Sequence, residues 1–287
     1  MPSDIKHRSF QRAAMFQVEI DMKFAFKSIV VAAAFIAAGA ANASTTLTAG
    51  NQSTSVTVGG QDLYLVSGSG ALTFSQTLID ALNTGSVAVQ AVAPALSNIV
   101  GDAGEYTAVG VAAPVGKIEV GAGGVVETAY SFGGAKQIAG AVKGVSYGGS
   151  ISVTNLKIDL VNKNIYADFV GAGLTKTGTT VNVNATNVLT WTFSDITGAT
   201  NVTGAGTFDT LLSGLSLTTQ GFNYLKDGLG LYSIGLIALQ GASTDFGTLS
   251  SSLTAAVVPA VPEPSTYALM GLGLVGIGFA ARRRAAK

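Results

Sequence analysis

One hairpin-forming stretch decides the fold of this chain, LKIDLVNKNIYADFV at residues 156–170. Apolar and polar residues alternate over Leu156–Val161 and again after a tight connection at Asn162-Lys163-Asn164, as expected for two strands that each bury one face. The alternation over Ile151–Val153 runs in the opposite phase, which predicts a β-bulge near Thr154-Asn155. The stretch therefore predicts an antiparallel β-hairpin with a bulged first strand.

Strand signals recur along the rest of the central region. β-Branched residues alternate with polar ones, and Gly or Asn interrupts the pattern every ~8–12 residues. Further strands are predicted over Ser53–Val58, Leu63–Val66, Ala71–Ser75, Val87–Val92, Tyr106–Val111, Lys117–Val120, Val125–Phe132, Val181–Ala185 and Val188–Phe193. The expected fold class is mainly β, an antiparallel sandwich-like domain with a few short helices.

A few segments lack the strand pattern. Gln76–Asn83 is expected to form a short helix that ends at Gly85. Phe208–Leu217 and Phe222–Leu229 are compatible with helix or with buried strand, because short apolar runs do not separate the two. Ser233–Leu239 is interpreted as a late buried strand.

The N-terminal region has the organisation of a secretory signal peptide. Within residues 22–43, two lysines precede an apolar run at residues 29–38, and Ala41-Asn42-Ala43 fits the cleavage rule, which makes Ser44 the first mature residue. The alternative, a membrane anchor, is disfavoured because the run is short for a ~30 Å hydrocarbon core. Residues 1–21 are polar and are interpreted as an over-extended translation start.

The C-terminal region has three parts. Pro262-Glu263-Pro264 precedes an apolar run, Tyr267–Ala281, and a basic cluster, Arg282-Arg283-Arg284. The run predicts a transmembrane helix that is marginal as a permanent anchor, since its length of about 23 Å falls short of the ~30 Å core. The arginines predict a stop-transfer signal on the cytoplasmic side. We expect one exported domain at residues 44–247, with a possible subdivision near residue 143, and a Ser/Thr/Ala-rich linker at 248–260.

This tripartite tail resembles the PEP-CTERM sorting signal of Gram-negative bacteria, down to the Pro-Ser-Thr-Tyr-Ala-Leu sequence that leads into the glycine-rich helix. The resemblance implies recognition and cleavage by an exosortase, followed by release to the cell surface or extracellular matrix. Proteins with this signal usually accompany exopolysaccharide and biofilm production. The resemblance covers the residues from Val261 to the end of the chain and implies a route, not an activity. A plain single-span anchor is the alternative.

Composition excludes several classes of site. The only His of the sequence is His7, which precedes the signal peptide, and the chain has no Cys. The mature chain therefore cannot form a Ser-His-Asp or Cys-His catalytic site, a His- or Cys-ligated metal site or a disulfide. Residues 44–261 hold nine Asp and three Glu against seven Lys and no Arg, a net charge of −5 that does not suit a nucleic-acid partner. No cofactor and no metal are expected.

Few residues remain as candidates for chemistry. Asp159 and Asp168 lie on the two arms of the predicted hairpin, where a glycosidase-like carboxylate pair is conceivable, but a solvated sheet face is the commoner role. Trp191 shares a strand face with Leu189 and Phe193, which favours a core position over a sugar-stacking platform. Exposed tyrosines could stack on sugars or ligate haem, although packing is the simpler role; they include Tyr64, Tyr106, Tyr147 and Tyr166.

These observations favour a non-enzymatic, exported surface or matrix protein. The expected partners are signal peptidase and the secretion machinery, an exosortase, the membrane transiently, and exopolysaccharide. A carbohydrate- or ligand-binding module on the cell surface is the alternative, and a carboxylate-based glycan hydrolase is the third hypothesis.

Overall fold

The computed structural model describes residues 44–259 and 264–285. The signal peptide and the residues Ala41, Ala43, Pro262 and Glu263 lie outside this range. Ser44 is its first residue, and the first strand begins at the next one. The strands are β1 Thr45–Thr48, β2 Val56–Val58, β3 Gln61–Phe74, β4 Ala88–Val92, β5 Leu96–Val100, β6 Ala108–Val120, β7 Val126–Ser131, β8 Gly134–Val142, β9 Ser146–Asp159, β10 Asn164–Leu174, β11 Thr180–Thr192, β12 Asp195–Gly198, β13 Gly206–Ser213, β14 Ser216–Leu217 and β15 Gly247–Val257. The helices are α1 Gln76–Gly85, α2 Thr219–Leu229, α3 Ile234–Ala242 and α4 Pro264–Ala285, with a 3₁₀ turn at Ala122–Gly124.

All fifteen strands join one antiparallel sheet that curls on itself. Its main path runs β12-β13-β15-β3-β6-β7-β9-β10-β11-β14, and the remaining strands pair along the margins. The long strand β6 joins the two halves, because Gly110–Pro114 pairs with β3 and Val115–Val120 pairs with β7. The mainly β, antiparallel class is confirmed, while the expected two-sheet sandwich is replaced by one continuous curled sheet.

The hairpin that the sequence predicts is present as β9 and β10. Asn155 has a left-handed backbone with φ of +54°, and the pairing register shifts between Tyr166 and Asp168. The predicted bulge at Thr154-Asn155 is therefore confirmed. Lys143, near the possible subdivision, lies in the turn between β8 and β9, which pair directly with each other.

The first helix follows its sequence signals. Leu78, Ile79 and Leu82 of α1 are buried, and the Ser75 Oγ accepts a hydrogen bond from the Leu78 N–H at 3.1 Å as the N-cap. The helix extends to Gly85, and the left-handed C-cap residue is Ser86 instead of the predicted glycine.

Helix α2 packs on the sheet through backbone contact. A Cβ at Gly173 of β10 would collide with the Asp227 carbonyl oxygen, and a Cβ at Gly228 would meet the Ile151 side chain. The helix can approach β9 and β10 this closely only because both positions are glycine.

Three segments differ from the expectation. Ser233–Leu239 is not a strand; it includes the N-cap and most of helix α3, in which Leu239 and Ala242 face the core. The sequence did not separate the two structures, because a nine-residue apolar segment can form a buried strand or a buried helix. Phe208–Leu217 forms β13 and β14, which resolves the helix-or-strand ambiguity. Phe222–Leu229 falls within α2.

The predicted linker at 248–260 is wrong over most of its length. Residues 247–257 form β15, which lies between β3 and β13. Leu249, Leu253 and Ala255 are buried and alternate with more exposed residues, so the Ser/Thr-rich composition reflects a strand with one solvated face. The domain therefore extends to Val257.

The apolar run of the C-terminal tail lies in α4, Pro264–Ala285. In the parts of the chain that the structure describes, no helix combines the length and the apolar character needed to cross a membrane. The predicted transmembrane helix is thus not confirmed.

Candidate functional site

The two halves of the curled sheet enclose an interior cavity. Their inner faces supply most of the lining, and helix α2 and the residue before β15 complete it with Leu225 and Phe246. The sheet residues that contribute are mainly apolar and include Leu72, Phe74, Val111, Val115, Val126, Ala129, Val153, Ile158, Trp191, Phe208, Leu212, Leu249 and Leu253. The cavity therefore lies between the two inner faces, where their core side chains would otherwise pack against each other.

The cavity has room for a small molecule. The volume open to the centre of a water molecule is about 90 Å³. This is of the same order as the roughly 150 Å³ of an apolar cavity that binds benzene. Small residues create the space, since Gly70, Ala113, Ala129 and Ala135 line positions where larger side chains would fill it.

Two polar atoms in residues that line the cavity lack hydrogen-bond partners. Trp191, on β11, is 4% exposed, and Ser131, at the end of β7, is 5% exposed. The Trp191 Nε1 and the Ser131 Oγ are the two buried side-chain polar atoms without a partner among the described residues. A buried donor or hydroxyl without a partner costs ~1–3 kcal/mol, so each such group requires an explanation.

The indole of Trp191 is held by aromatic neighbours. The Phe246 ring lies 5.3 Å from it at an interplanar angle of 58°, and Phe74 lies 6.2 Å from Phe246 on the other side. The Phe246 N–H donates to the Leu215 carbonyl at 2.9 Å. This hydrogen bond fixes the position of Phe246, whose ring contacts both Trp191 and Phe74. This packing orients the indole N–H, so the missing partner is not a consequence of a loose side chain.

A short strap closes the cavity on one side. Residues 199–205 connect β12 to β13 and form this strap. It attaches next to the start of β7, where the Val202 N–H donates to the Gly124 carbonyl at 2.8 Å and the Val126 N–H donates to the Thr200 carbonyl at 2.9 Å. Val202 is buried, whereas Asn201 is exposed and also lines the cavity. We interpret the strap as the place where the cavity meets solvent.

The two candidate carboxylates do not form a pair. The Asp159 carboxylate accepts hydrogen bonds from the Asn162 N–H and Nδ2 at 2.9 and 2.8 Å, which stabilises the hairpin turn. The Asp168 carboxylate accepts from the Asn155 Nδ2 at 3.0 Å and from the Asn187 N–H at 2.8 Å. Asp159 pairs with Asn164, which lies four residues before Asp168 on β10. The two aspartates are therefore about 13 Å apart along the sheet. Neither carboxylate lines the cavity.

The four tyrosines named from the sequence have separate roles. Tyr106 is buried instead of exposed, and its hydroxyl accepts from the Val89 N–H at 3.1 Å. Tyr147 stacks on Tyr232 with ring centroids 4.0 Å apart. The Tyr64 hydroxyl is 3.5 Å from the Gln52 Nε2, and the Lys157 Nζ is 5.2 Å from the Tyr166 ring. They do not converge on one site.

An ionic cluster marks the other side of the sheet. The Tyr130 hydroxyl donates to the Glu119 carboxylate at 2.7 Å, and the Lys117 Nζ lies 3.8 Å from the Tyr130 ring centre. Burial, the hydrogen bond to Glu119 and the negative charges of Glu119 and Asp159 raise the pKa of Tyr130 to about 12. The described residues contain no group of three acidic, His or Cys side chains that could hold a metal.

The cavity was not predicted from the sequence. Trp191 is in the core, the role the strand pattern favours for it, but its missing hydrogen-bond partner depends on residues distant in sequence. The one available signal was the glycine pair Gly133-Gly134, which follows the predicted strand Val125–Phe132 and lines the cavity.

Comparison with known proteins identifies the tail by sequence. Residues 260–284 match the PEP-CTERM protein-sorting motif. Among curated proteins, no sequence matches this chain. The crystal structure of the haem-binding protein HtaB from Corynebacterium glutamicum is similar with a TM-score of 0.38 at 12% identity, over 67% of this chain and 96% of that one. The C-terminal domain of HtaA from the same organism gives a TM-score of 0.39 at 15% identity, over 67% of this chain and 99% of that one.

Proposed function

We propose that this chain is an exported surface protein whose β domain binds a small apolar molecule in its interior cavity. The PEP-CTERM motif at residues 260–284 implies export through a membrane-anchored intermediate to the cell surface. The observation that carries the binding proposal is the apolar cavity in which the Trp191 Nε1 and the Ser131 Oγ have no partner. Concave apolar sites with a few polar groups that lack partners are typical of ligand sites.

The proposed activity is binding without catalysis. The mature chain has no His and no Cys, and the hydrogen bonds of Asp159 and Asp168 stabilise a turn and a bulge. A glycan hydrolase would need two carboxyl groups about 5–9.5 Å apart, and these two lie farther apart than that. Comparing the hydrolytic activity of the wild type with that of the variant in which both are Asn tests this part of the proposal.

The proposed route has two cleavages. Signal peptidase cuts before Ser44, and an exosortase cuts near Pro262-Glu263-Pro264 while Arg282-Arg283-Arg284 remains on the cytoplasmic side. The intact mass of the protein recovered from the cell surface and medium tests both cleavages. A species from Ser44 to the Pro-Glu-Pro region supports the route, and a species that retains the three arginines makes the tail a plain anchor.

Binding is tested with nitrobenzene, an uncharged single-ring molecule that quenches tryptophan fluorescence on contact. Trp191 is the only tryptophan, so its quenching reports occupancy of the cavity directly. We expect saturable quenching in the wild type. Saturable quenching should disappear in Ala129→Leu, which fills the cavity, and persist in Ala167→Leu, a buried strand residue that does not line it. Equal quenching in the two variants would place the probe elsewhere.

A second candidate function is association with exopolysaccharide in a biofilm matrix. It is favoured by an open groove on β3, β12, β13 and β15, lined mainly by small and hydroxyl-bearing side chains such as Ser69, Thr197, Ser250 and Ser252. Asp209 is the one charged residue of this lining, and hydroxyl groups with few charges suit hydrated glycans. Co-sedimentation with the exopolysaccharide of the producing cell tests this function, and loss of co-sedimentation in Ser252→Leu, at a residue that lines the groove and not the cavity, would locate the contact.

A further inference from the structure

We infer that the molecule bound in the cavity is electrically neutral and combines an apolar body with a carbonyl or hydroxyl oxygen that faces Trp191. This inference rests on the proposed binding function and specifies the chemical class of its ligand. It follows from the charge of the lining, from the donor and acceptor character of the two unpartnered groups, and from the size of the space.

The lining excludes charged ligands. None of the residues around the cavity is Asp, Glu, Lys or Arg. An ion placed in such surroundings loses its hydration and gains no opposite charge, at a cost of several kcal/mol. Carboxylates, phosphates and ammonium groups are therefore poor ligands, although their neutral analogues of the same size can enter.

The polar groups define what the neutral ligand must carry. The Trp191 Nε1 can only donate a hydrogen bond, so its partner must be an acceptor such as a carbonyl, hydroxyl or ether oxygen. The Ser131 hydroxyl can donate or accept, so it can bind the same oxygen or a second polar group on the ligand. A pure hydrocarbon would leave both groups without partners.

The remaining lining sets the shape of the ligand body. Apart from a few uncharged polar residues, Gln137, Asn201, Thr210, Ser250 and Ser251, the rest of the lining is glycine, aliphatic side chains and the aromatic rings of Phe74, Phe208 and Phe246. A volume of about 90 Å³, of the same order as the roughly 150 Å³ of a cavity that binds benzene, suits a single aromatic ring or a flexible alkyl chain. Octanol is a suitable probe, because octanoate and octane differ from it only in the end group.

The experiment measures the affinity of the wild-type protein for octanol, octanoate and octane at neutral pH, by calorimetry and, for octane, by headspace partition. We expect octanol to bind at least ten times more tightly than octanoate, which is ionised at this pH. Replacing the indole in Trp191→Phe keeps an aromatic ring and removes the donor. Loss of one hydrogen bond should weaken octanol binding by about 2- to 12-fold and leave octane binding unchanged.

Ser131→Ala is the second variant, so the test does not depend on the folding of one protein. It should also weaken octanol binding and leave octane binding unchanged. If none of the three probes binds to the wild type, the proposed binding function and this inference both fail. If octanoate binds as tightly as octanol, or if neither variant changes octanol affinity relative to octane, the ligand class is wrong while the cavity remains a binding site.

Discussion

Filling the cavity should stabilise the protein, which is the opposite of what enlarging a core residue usually does. In Ala129→Leu, three carbon atoms enter space that the structure shows as empty. Burial at about 0.8 kcal/mol per carbon contributes about 2.4 kcal/mol, and the lost rotamer freedom of leucine costs about 0.5–1 kcal/mol. The expected gain in the free energy of unfolding is therefore about 1.5–2 kcal/mol.

Urea and thermal denaturation measure this gain. For a domain of this size, each kcal/mol shifts the Tm by about 2–4 °C, so we expect an increase of about 3–8 °C. The urea midpoint should rise with an unchanged m-value, because the surface exposed on unfolding hardly changes.

Ala167→Leu is the matched control. Ala167 is also a buried alanine in a strand, at 1% exposure, but it does not line the cavity. Overpacking a filled site typically costs ~1–3 kcal/mol, so this variant should be destabilised. If Ala129→Leu loses as much stability as Ala167→Leu, the interior is packed and the reasoning behind the binding proposal is refuted.

Three further predictions concern the sheet face, the strap and the tail. The pKa of Tyr130 is raised to about 12 from an ordinary 10.0, so the stability that this group contributes is present below pH 10 and is lost as the pH rises toward 12. In Tyr130→Phe the urea midpoint should therefore fall less steeply between pH 10 and 12 than in the wild type. An unchanged slope would contradict this assignment. In Gly124→Ala the new Cβ would collide with the Val202 carbonyl oxygen, so the strap should shift. Acrylamide should then quench the fluorescence of Trp191 more strongly than in the wild type. Unchanged quenching would show that the strap does not control access to the cavity. Deleting residues 258–261 removes the spacer between β15 and the sorting motif, so intact mass should show that the tail is retained. Insertion of four Gly/Ser residues at the same place should leave cleavage normal. Efficient cleavage of the deletion variant would show that the spacer is not needed.

The elements that the sequence predicts well are those whose signals are local. The β9–β10 hairpin and its bulge follow from a change of phase over a few residues, and α1 follows from its apolar spacing and the Ser75 cap. Helix α3 was mistaken for a strand because a short apolar run has no period that separates the two structures. Strand β15 was mistaken for a linker because its partners, β3 and β13, lie far away in sequence, and only pairing shows that its Ser and Thr residues cover one face.

The cavity depends even more on distant residues. Its walls come from strands at both ends of the sheet path, and the small side chains matter only because they face one another after the sheet has curled. Trp191 illustrates the limit, since alternation on β11 predicts its burial, while nothing near it in sequence predicts that its N–H will lack a partner.

The positions of the two proposed cleavages connect the route with the site. The first strand begins at Thr45, directly after the predicted first mature residue, and the last strand ends at Val257, five residues before Pro262. At no more than ~3.6 Å per residue, that spacer reaches less than about 18 Å, so the sorting motif is presented close to the folded domain. Both cuts leave every strand of the sheet intact, including β7 and β11, which carry Ser131 and Trp191. Under the proposed route, the complete β domain reaches the cell surface with the proposed binding cavity unaltered by processing.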